Sequence, residues 1–562
     1  METTLANTAL LEPHGNAAPH PMTVGGTLHS AAERFADRPA LVYDGREATY
    51  AELFEQVIER ARGLIGLGVK AGDHVGILAP NCWDYVILYY AIDLVGACAV
   101  LLNARYRPDD LSYVIPKSRI DLLLVGGHAH DFCDYRPMLT EVFPELANWT
   151  GGELKVAAAP ALRMIVEVGD DRPGPWPTIS VIEEAAATVE RQAVLDRAAA
   201  VRPEDIGLII FSSGTTSRPK ACMLTHLSLS RMGKAMAGSF RLTEADRVWD
   251  PLPLFHMSTI LPMAGCRATG ACFVGMSHFS ADAAMELLIE RKPTVHYAGF
   301  PTIISALVTH PDFARYDQSA LRINHVVGPV DLMRRYGTLF PGAKYVNSYG
   351  LTEATGVPCY SNIDDPDDVL FATSGPICEG MDVAIFDEDG VQVPDGTPGE
   401  IRVRGFGVFA GYFDDDAATA AAVDADGWLH TGDLGRIGPM NRLVYEGRLK
   451  DMLKIGGENV AAVELESFLA THPAIRMAQV VGVPDERLME VAAAFIELNP
   501  GASLKAQDVV AHCAGRIASY KIPRYVRFVE SWPMSATKVQ KFELLRGFKA
   551  DGKIDPSAKP RA

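Results

Sequence analysis

The stretch from His74 to Leu102, HVGILAPNCWDYVILYYAIDLVGACAVLL, decides the fold. Its first segment, His74-Val75-Gly76-Ile77-Leu78-Ala79, is short and apolar and reads as a buried strand. Trp83 to Leu94 is too long for such a strand and reads as a helix; Ala97 to Leu102 reads as the next strand. Asp93 puts a charge in the middle of the apolar run, which argues for a buried helix and against a membrane span. Strand, helix and strand in this order make a βαβ unit and predict a largely parallel sheet. Working outward, Gly207 to Phe211, Cys272 to Met276, Val295 to Gly299 and Asn324 to Val327 supply further short apolar runs. No fixed-period repeat is present, which disfavours solenoids and propellers.

The character of the chain changes twice. Asp387 to Gly399 (DEDGVQVPDGTPG) is dense in Asp, Gly and Pro and predicts two hairpin turns in a β-rich region. Beyond Gly447 the pattern predicts a helix over Ala461 to Leu469, strands over Met477 to Gly482 and Ala492 to Leu498, and a helix over Ala506 to Ile517. The expected class is therefore α/β. A large N-terminal domain of mixed and parallel sheets flanked by helices, with a β-rich region, is followed by a small C-terminal α+β domain. The expected divisions are a loose leader over residues 1–22, the large domain over 23–447, a junction at 448–451 and the small domain over 452–562.

With 562 residues the chain exceeds what one compact core serves, in keeping with that division. Its 52 basic and 70 acidic side chains leave a net charge of -18, which excludes general affinity for nucleic acid or an anionic membrane. The nine cysteines show no CxxC spacing and suggest neither a zinc site nor a disulfide framework. They fit a reducing compartment, and the first residues lack a secretory signal, so the cytoplasm is expected. Monomer and homodimer both remain open.

Five segments carry chemistry. Phe211-Ser212-Ser213-Gly214-Thr215-Thr216-Ser217-Arg218-Pro219-Lys220 follows a strand and gathers hydroxyls, a glycine and a lysine. Such a turn can wrap phosphate oxygens, although its spacing is not that of a Walker A loop and a solvated Ser/Thr loop is the alternative. Asn347-Ser348-Tyr349-Gly350-Leu351-Thr352-Glu353 offers an aromatic ring, a glycine for close approach, a hydroxyl and a carboxylate fit for Mg²⁺. Gly427-Trp428-Leu429-His430-Thr431-Gly432-Asp433 ends on a carboxylate that can accept from two vicinal hydroxyls, or else serves a turn. Gly447-Arg448-Leu449-Lys450-Asp451 with Gly456-Gly457-Glu458-Asn459 mixes charge with a glycine pair, as a pivot and a close-approach loop require; a plain charged linker is the alternative. Thr537-Lys538-Val539-Gln540-Lys541 lies near the end.

In this order and spacing the five segments resemble the core motifs of the adenylate-forming superfamily of acyl-CoA synthetases, adenylation domains and luciferases, over about Thr23 to Gly547. GWLHTGD, GRLKD and GGENV are most similar to the small-molecule carboxylate–CoA ligases, and Ser-Arg-Pro-Lys to the carnitine and crotonobetaine subgroup. The resemblance implies that Ser212, Ser213, Gly214, Thr215 and Thr216 hold phosphates with Lys220 as helper. It implies that Tyr349 and Gly350, with Gly328 and Pro329, form the adenine pocket. Thr352 is then at the α-phosphate, Glu353 on Mg²⁺, and Asp433 and Arg448 on the ribose. Lys450 is the implied hinge and Lys538 the lysine between carboxylate and α-phosphate. His256 is the implied gate between acyl and pantetheine tunnels, and Gly456 and Gly457 line the thiol's approach.

This chain departs from the family pattern in three places. Ser217 and Ala221 stand where glycine is common, with backbone strain expected if either needs positive φ. The glycine usual before the catalytic lysine is missing in Ala536-Thr537-Lys538, which makes Lys541 a second candidate. The adenine stretch is reduced to Val327-Gly328-Pro329-Val330.

The implied reaction joins a carboxylic acid to CoA: acid and ATP give acyl-AMP and pyrophosphate, then acyl-AMP and CoA give acyl-CoA and AMP. Loading of a carrier-protein thiol and a non-catalytic binding descendant are the alternatives. The acyl pocket is expected near Met257 to Leu261, His296 to Phe300, Val327 to Val330 and Tyr349 to Gly356. These segments are apolar and aromatic, which favours a hydrophobic fatty, aryl or alicyclic acid.

Overall fold

The computed structural model describes residues 18–126, 134–169, 174–212, 218–328, 330–455, 458–485, 487–534 and 539–548. The opening stretch folds as expected. Strand His74–Leu78 lies parallel to Cys98–Leu101, with His74 opposite Cys98, and helix Trp83–Leu94 crosses between them. Every residue of that helix except Asp84 is buried. Asp93 is held there beside Arg267, whose guanidinium opposes the strong upward push of burial on its carboxyl. The guanidinium in turn donates to the Tyr90 hydroxyl at 2.9 Å. Among the described residues no helix is long and apolar enough to cross a membrane.

The βαβ unit belongs to a seven-stranded sheet that is parallel from Met164–Val168 through to Ile206–Ser212 and then turns antiparallel. The antiparallel edge is Lys220–Thr225 followed by the two-residue strand Gly411–Tyr412. A second seven-stranded sheet runs Lys344–Val346, Ile323–Val326, Val295–Gly299, Arg247–Asp250, Cys272–Gly275, Pro39–Tyr43 and Arg46–Thr49, parallel but for its last pair. Helices flank both sheets. One of them, Tyr50–Gly66, opens with a capping box in which Thr49 and Glu52 exchange hydrogen bonds.

A four-stranded antiparallel sheet, Met381–Phe386, Gly399–Gly405, Leu429–Gly438 and Arg442–Arg448, makes the β-rich region. The Asp387 to Gly399 connection holds two turns, closed by Gly390 N–H to Asp387 O at 3.1 Å and Thr397 N–H to Pro394 O at 3.1 Å. From Met452 onward a five-stranded sheet gathers apolar cores of its own, with Val480, Ile496 and Val509 fully buried in one of them. Helix Ala462–Ala470 packs on that sheet and also meets strand Arg442–Arg448. The helix expected to reach Ile517 stops at Cys513, because the chain turns extended at Ala514 and Gly515 takes a left-handed φ of 73°. All eight described cysteines are buried and free.

Candidate active site

The phosphate-loop hairpin is Ile206–Ser212 paired with Lys220–Thr225, in a register that sets Ser212 directly opposite Lys220. The loop's two ends therefore stand side by side on neighbouring strands. Ser213, Gly214, Thr215 and Thr216 lie outside the described residues. Ala221 sits inside its strand opposite Phe211 and is not among the residues of positive φ, so the strain considered for it does not arise. The Lys220 ammonium lies over the ring of Tyr412, 4.7 Å from its centroid.

Strand Ser348–Leu351 runs into a single 3₁₀ turn, Thr352–Ala354. The buried Thr355 closes that turn at a left-handed φ of 50°, its hydroxyl donating to Gly407 O at 2.7 Å. A non-glycine residue held there stores strain that its surroundings must offset. The turn presents Thr352 and Glu353, both half-buried. Glu353 is gripped twice by one segment: its carbonyl accepts from Phe409 N–H at 2.8 Å, and its Oε1 accepts from the Tyr412 hydroxyl at 3.0 Å.

Tyr349, 5% exposed, donates its hydroxyl to Asp433 Oδ2 at 2.8 Å. Burial first, and the Asp433 carboxylate second, push its phenol pKa up, so it remains a donor. Asp433 pairs across the ladder with Arg448, whose Nε lies 3.3 Å from Oδ1. Tyr445 stacks on Tyr349 with ring centroids 5.7 Å apart. Gly350 has a different reason from the expected ligand approach: a Cβ there would stand 2.0 Å from Gly356 O. The close approach is between two backbones of the hairpin Ser348–Leu351 and Gly356–Tyr360. Tyr349 and Glu353 are four positions apart, a span of at most about 14 Å, so the tyrosine–aspartate cluster and the lysine–glutamate cluster are joined by one short segment.

The remaining expected residues are spread around it. His256 caps helix Met257–Thr269 with its ring 4.9 Å from Phe255. Gly328 packs where a Cβ would meet Pro301 at 2.9 Å; Pro329 lies outside the described residues. Of the expected acyl-pocket segments, Gly356 lies where a Cβ would meet Leu261 at 2.4 Å and Met257 at 3.4 Å. His296 does not join them. Fully buried, it stacks on Tyr316 and hydrogen-bonds its hydroxyl at 2.9 Å, while its strand neighbour Tyr297 points the other way and stacks on His325 at 4.1 Å.

Lys450 sits in the turn Leu449–Asp451 between the four-stranded and five-stranded sheets. Desolvation, and then the Arg448 charge, lower its pKa. Gly456, Gly457 and Lys538 lie outside the described residues. Lys541 is paired with Glu466 at 2.6 Å. Two residues of the cleft, Tyr412 and Tyr445, escaped the sequence reading. Each stands in an unremarkable Gly-Tyr or Val-Tyr pair, and nothing local announces what its ring meets.

Residues 28–413 match the AMP-binding enzyme family and residues 464–538 the AMP-binding enzyme C-terminal domain. Among similar proteins, the putative acyl-CoA synthetase YngI of Bacillus subtilis is 34% identical over 93% of this chain and 96% of its own length. The human mitochondrial medium-chain acyl-CoA ligase ACSF2 is 32% identical over 93% of this chain and 87% of its own. The crystal structure of the anthranilate CoA ligase AuaEII in complex with anthranoyl-AMP superposes with a TM-score of 0.82 at 26% identity, covering 94% of this chain and 97% of that one. The chain belongs to the AMP-binding enzyme family, as an AMP-forming acid–thiol ligase of the acyl-CoA synthetase class.

Proposed function

We propose that the substrate is a hydrophobic carboxylic acid, joined to CoA through an acyl-adenylate in a cleft where Mg²⁺ assists. The observation that carries this reading is the meeting of two clusters along Tyr349–Glu353. The Tyr349–Asp433–Arg448 set suits a nucleoside at one end, and Ser212, Lys220 and Glu353 suit a metal-bound polyphosphate at the other. Glu353 fits Mg²⁺ chemically: it is a hard anionic oxygen donor already oriented by Tyr412, and Mg²⁺ needs few protein ligands when phosphates and water supply the rest. When bound, the ion would neutralise charge on the phosphate oxygens.

Asp433 and Arg448 would hold the ribose, and Tyr349 with Gly328 and Pro329 the adenine. Thr352 would touch the α-phosphate, where the acid's carboxylate attacks and pyrophosphate leaves. Lys538 would bridge carboxylate and α-phosphate, since two anions must meet there and a fixed positive charge stabilises their encounter. A turn about Lys450 would then withdraw Lys538 and bring Gly456 and Gly457 to the thiol's path, with His256 as the gate. The division at 448–451 is the one this mechanism needs.

The apolar side chains of Met257 and Leu261 that stand against the Gly356 backbone support a hydrophobic acyl group. So does the similarity to the medium-chain acyl-CoA ligase ACSF2 and to the anthranilate CoA ligase AuaEII. A panel of fatty, aryl and alicyclic acids, assayed for pyrophosphate release and for CoA-dependent AMP release, tests the reading. Turnover with apolar acids and free CoA is expected. Thioester formed on a carrier protein but not on free CoA, or preference for short charged acids, would overturn it.

A further inference from the structure

Tyr412 touches both charged residues of the polyphosphate end. Its ring face meets the Lys220 ammonium at 4.7 Å and its hydroxyl donates to Glu353 Oε1 at 3.0 Å. We propose that Tyr412 is a positioning residue for this end of the site, a neutral spacer that keeps the lysine and the glutamate from pairing with each other. The proposal rests on the reading of Glu353 as the metal ligand.

An ammonium and a carboxylate facing the same cleft form a charge-assisted hydrogen bond if they can reach each other. Such a bond would have to break before the amine took up phosphate and the carboxylate took up a metal ion. Tyr412 gives each a substitute partner that releases more readily. The cation rests on an aromatic face, and the carboxylate accepts from an uncharged hydroxyl.

The backbone explains why this ring can act as a fixed spacer. Gly411–Tyr412 is a strand only two residues long, yet it is locked on both sides. Tyr412 pairs with Cys222 in the strand that begins at Lys220, and its N–H donates to Thr419 Oγ1 at 2.9 Å. Phe413 N–H donates to Ala221 O at 2.8 Å, and Phe409 N–H holds the Glu353 carbonyl at 2.8 Å. The Phe409 ring packs against the Tyr412 ring with centroids 4.7 Å apart. The segment 409–413 thus fixes Tyr412 relative to Lys220 through the strand Lys220–Thr225 and relative to Glu353 through the Phe409 N–H bond to the Glu353 carbonyl. Tyr412 is also 7% exposed, so its contacts are sheltered from competing water.

The test titrates the full-length protein with Mn²⁺ by electron paramagnetic resonance, in the presence of a non-hydrolysable ATP analogue. Tyr412→Phe keeps the ring and its packing and removes only the hydroxyl; it is expected to weaken the Mn²⁺–nucleotide complex about three- to tenfold. Tyr412→Leu also removes the ring face and is expected to weaken it further, because Lys220 and Glu353 can then pair. Lys220→Ala alone should weaken binding, yet in the Tyr412→Leu background the same change should restore it at least about threefold, a reversal of sign that only a spacer predicts. Thioester formation from supplied acyl-adenylate and CoA should be unchanged in Tyr412→Phe.

Wild-type Mn²⁺ binding by Tyr412→Phe, no restoration in the double variant, or equal loss of the thioester step would each overturn the proposal. Glu353→Gln separates the two levels of inference. If it leaves Mn²⁺ binding unchanged, the metal assignment fails and the spacer role falls with it. If Glu353→Gln weakens binding and Tyr412→Phe does not, the spacer role alone fails.

Discussion

Tyr349 and Asp433 are joined hydroxyl to carboxylate at 2.8 Å, although 84 positions separate them in the chain. Arg448 takes the other oxygen at 3.3 Å, and the carboxylate is left 4% exposed. A ribose that is to bond Asp433 meets a carboxylate already paired with Arg448 at Oδ1 and bonded by Tyr349 at Oδ2. Asp433→Ala is expected to weaken ATP binding by at least about tenfold, and Tyr349→Phe by about ten- to a hundredfold, the worth of one hydrogen bond to a charged group. Calorimetric titration with ATP checks both. ATP affinity unchanged in Asp433→Ala would mean that the nucleoside binds elsewhere.

The two half-reactions should come apart by mutation. Lys538→Ala is expected to lose acid-dependent pyrophosphate exchange by two to three powers of ten, roughly the loss of one charge-assisted transition-state contact, and to keep thioester formation from supplied acyl-adenylate. Lys450→Pro, with its φ fixed, should show the reverse pattern. Equal loss of both activities in both variants would refute the two-conformation mechanism.

Lys541 is tied to Glu466 at 2.6 Å, and that carboxylate also accepts from Val480 N–H at 2.8 Å. Its pairing makes it a structural residue of the C-terminal module. Lys541→Ala should leave adenylation within about twofold while destabilising the module by about 1–3 kcal/mol, since a half-buried carboxylate loses its charged partner. Thermal unfolding alongside pyrophosphate exchange decides. Adenylation lost in Lys541→Ala with an unchanged melting temperature would make Lys541 the catalytic lysine.

Three buried histidines give stability a pH dependence of known sign. Burial lowers His226 to about 4, and His296 and His325 to about 3. Above about pH 6.5 neither the folded nor the unfolded chain protonates them. Below it the unfolded chain takes up protons that the folded one refuses, so stability falls with falling pH until the folded values are reached. Chemical denaturation between pH 7 and pH 4 should show this slope, reduced by about one proton in His296→Phe. An identical slope in that variant would mean that His296 is protonated in the fold.

How far such features can be read from sequence depends on the range of the interaction. Strand His74–Leu78 and helix Trp83–Leu94 were legible because burial on all sides leaves a continuous apolar run, and the run's length tells strand from helix. The polar motif segments were legible as a family pattern through their order and spacing, and the chain does match the AMP-binding enzyme family over residues 28–413 and 464–538. Tyr412 was not, since its meaning comes from Glu353, 59 positions away. The close approach of Gly350 to Gly356 was hidden for a related reason: the backbone belongs to its own hairpin, and register is invisible in one strand alone. The overrun past Cys513 shows the limit of helical periodicity where a glycine reverses the chain.

Arg448 is the last rung of one ladder, opposite Asp433, and Met452 is the first rung of the next, opposite Ala461. Only Leu449, Lys450 and Asp451 lie between, so any swivel of one sheet against the other is carried by about six soft torsions. A residue added in the Asp387–Gly399 connection would be absorbed at an exposed tip. The same residue added here would re-aim everything that follows. Because Arg448 both pairs with the Asp433 carboxylate and adjoins this three-residue connection, the contact stands one residue away from the torsions that begin at Leu449.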